Sequence, residues 1–82
     1  MEKMEASLTV LIMSIGSSAA IALGIEPDPQ TGKQHVDKEL ARFNIDLLSV
    51  LKSKTQNNLS QDESRLIDNL IHDLQLKFVS LR

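Results

Sequence analysis

The sequence predicts an all-α domain of three helices, at about 3–23, 37–54 and 61–81, and three observations carry that prediction. Only three glycines and two prolines punctuate the 82 residues, and all but Gly16 gather in the stretch GIEPDPQTGKQH, residues 24–35. Outside it the apolar residues recur three and four apart, the helical period, and no strand-like alternation persists. Third, LSQDE at 59–63 sets Ser60 three residues before Glu63, the reciprocal arrangement that caps a helix N-terminus. A chain of this length is one domain, 1–82, with a structured loop over 24–36.

The first helix is expected from about Lys3 to Leu23. Met4, Leu8, Leu11, Ile12, Ile15, Ala19 and Leu23 form a broad apolar face, while Val10, Met13, Ala20 and Ile21 lie on the opposite side. The only hydrophilic groups there are the hydroxyls of Ser7, Thr9, Ser14, Ser17 and Ser18. A helix apolar on nearly every side is buried in protein or lies in lipid.

Three readings of this segment compete. The run 6–25 has no ionisable residue and is long enough to cross a bilayer. It is nevertheless diluted by five Ser and Thr, two Gly and four Ala, and its flanks (Glu2, Lys3, Glu5, then Glu26 and Asp28) show no positive bias or aromatic belt. A signal peptide needs a basic start, and MEKME is net negative, although Ala20 to Ala22 resembles a small-x-small cleavage site. The reading adopted is a helix covered on one face by its own chain and on the other by a second copy. Val10, Met13, Gly16, Ser17, Ala20, Ile21 and Gly24 are then the candidate self-association residues, with Gly16, Ala20 and Gly24, four apart, admitting a close backbone. The same small residues would also fit against this chain's own helices. Membrane attachment through residues 6–25 is the alternative.

In the loop, Asp28-Pro29-Gln30-Thr31 suits a type I turn with Gly32 free to take positive φ. PQTGK resembles a phosphate loop only in part. That motif needs glycine where Pro27 stands and Ser or Thr where Gln34 stands. Pro27, Pro29, Thr31, Gly32 and Lys33 are therefore candidates for a recognition loop, and equally for a structural joint.

For the second helix, 37–54, Asp37 is the expected N-cap. Val36, Leu40, Phe43, Leu47, Val50 and Leu51 follow a three-then-four spacing on one face, and Ala41, Ile45 and Leu48 lie nearly opposite. Such a helix has neighbours on two sides. After it, Asn57 or Asn58 in QNN can take the left-handed conformation that ends a helix. The third helix, 61–81, repeats Leu66, Leu70, Leu74 and Phe78, with Ile67, Ile71 and Leu81 widening the stripe. Asp62 and Glu63 sit at its positive end, and Lys77 and Arg82 at its negative end. The second and third helices are expected to form an antiparallel hairpin.

Composition narrows the function classes. With no cysteine there is no disulfide or thiolate metal site, which suits a reducing cytoplasm. Nine basic residues against eleven acidic ones, two Phe and no Trp or Tyr give neither a basic footprint nor a stacking platform, so nucleic acid is not an expected partner. A short chain without disulfide or metal has a marginal core, and association is the expected staple. His72 lies a turn after Asp68 and beside Asp73, an ordinary arrangement on a solvated face. His35 and the Ser17-Ser18 pair have no evident partner, and those hydroxyls suit bonds back to helix carbonyls. No nucleophile, base and orienting group can be assembled. The expectation is a protein that is not an enzyme and needs no cofactor or metal.

Several spaced elements occur in order: Ser17 to Ala19, Leu23-Gly24, Pro27 to Gly32, Ile45 to Leu48, Lys54-Thr55 and Asn58 to Ser60. In this pattern the chain resembles the bacterial family called domain of unknown function 1844, over nearly all of its length after the first dozen residues. It departs from the pattern at Asn57, where the family has Gly, and at Gln75, where a basic residue is expected. The resemblance implies a bacterial, cytoplasmic helical protein and supplies no activity. The functional expectation is thus a homodimeric protein–protein interaction module, with a second copy as partner and another protein as a further candidate.

Overall fold

The computed structural model describes residues 6–81, and these form three helices with no strand among them: α1 (Leu8–Ala22), α2 (Lys38–Lys54) and α3 (Gln61–Val79).

Helix α1 begins later than its apolar run suggests. Ser7 is extended (φ −150°, ψ 162°), and its hydroxyl accepts the Val10 N–H at 3.1 Å. Serine is among the best N-caps, so the first turn forms after it rather than running back through Ala6. The expected start at Lys3, and Met4, lie outside the described residues. At the other end Gly24 has φ +78° and donates to Ile21 O, while Ile25 N–H donates to Ala20 O, both at 3.0 Å. These are the paired bonds of a Schellman ending. The Ala22 carbonyl is taken by Asp37 N–H at 2.8 Å, which ties the end of α1 to the start of α2.

Helix α2 starts where its cap requires, with Asp37 Oδ1 accepting from Leu40 N at 3.1 Å. It ends at Thr55, whose hydroxyl donates back to Leu51 O at 2.7 Å, and Asn57 then turns the chain at φ +70°. Helix α3 opens on the capping box. Glu63 N–H donates to Ser60 Oγ at 3.1 Å, and Ser60 N–H donates to Glu63 Oε1 at 2.9 Å. It closes at Val79 with Ser80 as C-cap, two residues short of the expected 81.

Helix α1 packs against both others, most extensively against α2. The core is Ile12, Ala19, Ala22 and Leu23 from the first segment, Ala41, Ile45 and Leu48 from α2, and Ile67 and Leu74 from α3. Three of these nine positions are Ala, and the largest fully buried side chains are Ile12, Leu48 and Ile67. The Cα envelope measures 36 × 36 × 16 Å, a slab about as thin as two packed helices.

Of the two apolar faces expected on α2, the one with Ala41, Ile45 and Leu48 is buried, together with Asn44. On the other face Leu47 and Leu51 are partly buried, Leu51 against the core, and the rest are exposed. Phe43 is 56 % exposed, Val50 54 % and Leu40 47 %. Ala41 sits centrally on the inner arc and lets α1 come close, whereas the bulkier stripe would hold it away. Asn44 shares that inner arc at 7 % exposure and donates its side-chain amide to Leu40 O at 3.0 Å.

Candidate interaction surface

The residues singled out on α1 separate into two groups. Gly16 is buried, and a Cβ built on it would stand 3.3 Å from Leu70 Cδ1 of this chain's own α3. Its smallness serves the packing of α1 on α3. Ala20, Ile21 and Gly24 are partly buried, and Gly24 faces Val36, with 3.0 Å between its would-be Cβ and Val36 Cγ2. Val10, Met13 and Ser17 are exposed, together with Leu11, Ser14 and Ser18, which were not singled out. The outward face of α1 is therefore short apolar side chains interrupted by hydroxyls. One hydroxyl, Ser14 Oγ, donates back to Val10 O at 2.8 Å. A shallow, mainly apolar depression at the start of the helix is lined by Ala6, Ser7, Leu8, Val10, Leu11 and Ser14.

The loop is held by its own backbone. Asp28 N–H donates to Lys33 O at 2.9 Å, and Gly32 N–H donates to Asp28 O at 2.7 Å with φ +70° at Gly32. The closing bond thus spans one residue more than the expected type I turn. Asp28 Oδ1 accepts from Gln30 N–H at 2.8 Å, Thr31 Oγ1 accepts from Lys33 N–H at 3.2 Å, and Gln34 Nε2 donates to Ile25 O at 3.1 Å. Pro27, Pro29, Thr31, Gly32 and Lys33 are all exposed, and the loop's Asp, Thr and Gly each have a role in shaping it. The side chains of Asp28 and Thr31 are committed inward, to the turn itself.

Asp68 is not left for His72. Lys52 Nζ on α2 approaches Asp68 Oδ1 at 2.7 Å, both side chains being about half exposed. Among the described residues no three His, Asp or Glu are placed to hold a metal ion. No helix among them is long and apolar enough to cross a membrane, and α1 at 15 residues is about 22 Å long against a hydrocarbon core of about 30 Å. The segment 6–25 is therefore not one continuous spanning helix, because Ser7 caps it at one end and Gly24 unwinds it at the other.

The geometry leaves one conspicuous surface on α2, the outward stripe of Leu40, Phe43 and Val50. Helix α3 flanks one side of the inner arc of α2, where Lys52 reaches Asp68 and where Arg42, Ile45 and Asp46 share a groove with Gln75, Phe78 and Val79. Leu40 is exposed, whereas Leu47 and Leu51 are partly buried, Leu51 against the core. Further apolar exposure occurs at Ile25 and, on α3, at Leu76 and Val79.

The family comparison agrees with this architecture in extent. The family described as Domain of unknown function (DUF1844) matches residues 5–80, all but the two ends of the chain. The protein belongs to that family. The match spans every helix and loop described above, so the three-helix unit is the family's domain. No curated protein and no solved structure matches the chain.

Proposed function

We propose that this DUF1844 protein is a non-enzymatic interaction module of the bacterial cytoplasm that associates with a second copy of itself. The observation that carries this reading is the placement of apolar bulk. Val10, Leu11 and Met13 on α1, and Leu40, Phe43 and Val50 on α2, are each roughly half exposed, outside a core of nine apolar residues, three of them alanine. Completing the burial of each would contribute about 1 kcal/mol, half of the roughly 1.5–3 kcal/mol for a whole side chain. The chain exposes 6258 Å², against about 4,900 Å² expected for a folded monomer of its mass. The decisive quantity is the exposure of the individual side chains. A face of about 36 × 36 Å is ample for the roughly 800 Å² that each partner buries in a stable interface.

Within each copy, α2 and α3 are read as an antiparallel hairpin. Lys52, near the end of α2, reaches Asp68 in the first half of α3, and Arg42, near the start of α2, lies with Gln75 and Val79 near the end of α3. The absence of cysteine from the sequence supports a reducing compartment. The commitment of Asp68 to Lys52 supports a role without acid–base chemistry at the Asp68–His72 spacing.

Light scattering on the purified protein at micromolar concentration tests the reading. The expected mass is about twice 9.1 kDa. A cooperatively folded monomer over the whole micromolar range would overturn it.

A further inference from the structure

The outward stripe of α2 is written in a self-complementary order. Glu39 lies one turn before Phe43, Leu47 follows one turn later, then Val50, and Lys54 lies one turn after Val50. Read in reverse, the stripe has the same apolar centre with the terminal charges exchanged. Both Glu39 and Lys54 are exposed, and neither takes part in an ion pair among the described residues. Two such helices laid antiparallel, in the register where paired residue numbers sum to 93, bring Phe43 to Val50 and Leu47 close to its own symmetry mate. The same register brings Glu39 to Lys54 at both ends. A parallel pairing instead sets Glu39 against Glu39 and Lys54 against Lys54, which is repulsive at both ends. Antiparallel packing also opposes the two helix dipoles.

The neighbouring charges permit this register. Asp46 lies near the axis but about a quarter-turn off the stripe, and Arg42 stands 3.9 Å from it on the same helix. Lys52 is turned towards α3 and held by Asp68. The stripe itself between Leu40 and Val50 carries no charge.

From this self-complementarity we infer that α2 is the twofold seam of the protein, packing antiparallel against α2 of a second copy with the axis beside Leu47. Glu39 of each chain then pairs with Lys54 of the partner subunit. The inference rests on the self-association reading and names its surface and register.

Three measurements on the full chain test it. Phe43→Glu and Val50→Glu place a charge in the seam at side chains that are more than half exposed in the single chain. Each variant should keep the helical circular dichroism of the parent and drop from dimer to monomer in light scattering. Glu39→Lys or Lys54→Glu alone should raise the dimer dissociation constant about tenfold, and the double exchange E39K/K54E should return it to within about twofold. Because the sequence has no cysteine, disulfide trapping is clean. A mixture of Glu39→Cys and Lys54→Cys chains should cross-link, whereas neither variant should cross-link with itself. If the parent is a dimer and Phe43→Glu and Val50→Glu remain dimeric, the α2 seam is wrong and self-association stands on another face. Glu39→Cys cross-linking with itself would overturn the antiparallel register, and a monomeric parent would overturn both this inference and the reading on which it rests.

Discussion

Replacing Gly24 by alanine tests how the first helix is joined to the second. Gly24 has φ +78° and Gly32 has φ +70°, so each holds a conformation that costs an L-residue about 1–2 kcal/mol. Restricting the unfolded chain by a Cβ returns about 0.4–1 kcal/mol. Gly32→Ala, where a Cβ meets nothing within 4 Å, should therefore destabilise by about 0.5–1 kcal/mol. Gly24→Ala carries the same strain and in addition sets a Cβ 3.0 Å from Val36 Cγ2 and near the His35 backbone, at 3.7 Å from its carbonyl oxygen. Overpacking of that kind adds about 1–2 kcal/mol, for a total of about 2–3 kcal/mol. The excess is specific to one neighbour, so Val36→Ala should relieve it, leaving the double variant about 1 kcal/mol more stable than the sum of the singles. Urea unfolding followed by circular dichroism, at one fixed protein concentration because association adds stability by mass action, measures all four proteins. Equal midpoint shifts for Gly24→Ala and Gly32→Ala, or an additive double variant, would refute the close approach of Val36 to Gly24.

The other helix-level expectations separate core, cap and surface. Leu48→Ala empties a fully buried site and should cost about 2–5 kcal/mol, while Leu76→Ala, at a side chain 54 % exposed and off the α2 stripe, should cost under about 1 kcal/mol in the same urea titration. Ser60→Ala removes the acceptor of Glu63 N–H and frees the reciprocal bond, for a loss of about 1 kcal/mol read from the thermal midpoint. Lys52→Ala should change stability by less than about 1 kcal/mol, since both partners of its 2.7 Å bridge are half exposed, and the difference should shrink as salt is added.

Helix ends were legible in the sequence wherever a single side chain sets them. Asp37, the Ser60–Glu63 box, Gly24 and Asn57 each act through a local bond or a local φ, so their neighbours in sequence are enough to place them. The start of α1 was misjudged because the uncharged run continues past Ser7, and hydropathy does not register a hydroxyl acting as a cap. Both faces of α2 were legible as apolar, but periodicity does not say which of them lies against the rest of the chain, because it measures how apolar a face is and not how near a neighbour can come. The buried face is the one with Ala41, Ile45 and Leu48. Gly16 shows the same limit. Its spacing with Ala20 and Gly24 signals a close contact without saying whose helix supplies it, and Leu70 of the same chain does.

The division of α2 between its two faces bears on why the chain associates. Ile12, Leu48 and Ile67 are fully buried beside Ala19, Ala22 and Ala41, yet Phe43, Leu40 and Val50 stay about half exposed. The slab is only 16 Å thick. The bulk on its surface then gains burial only from another surface of the same kind. A stripe that reads the same in reverse, with opposite charges at its ends, meets that need with a second copy of itself. Exchanging Ala41 and Phe43 in one variant (A41F/F43A) would separate the two demands. It should hold α1 away and lower the cooperativity of unfolding, while removing the seam's largest side chain and weakening dimerisation at least tenfold. A variant that stayed dimeric and unfolded as sharply as the parent would show that neither face depends on the sizes of these two side chains.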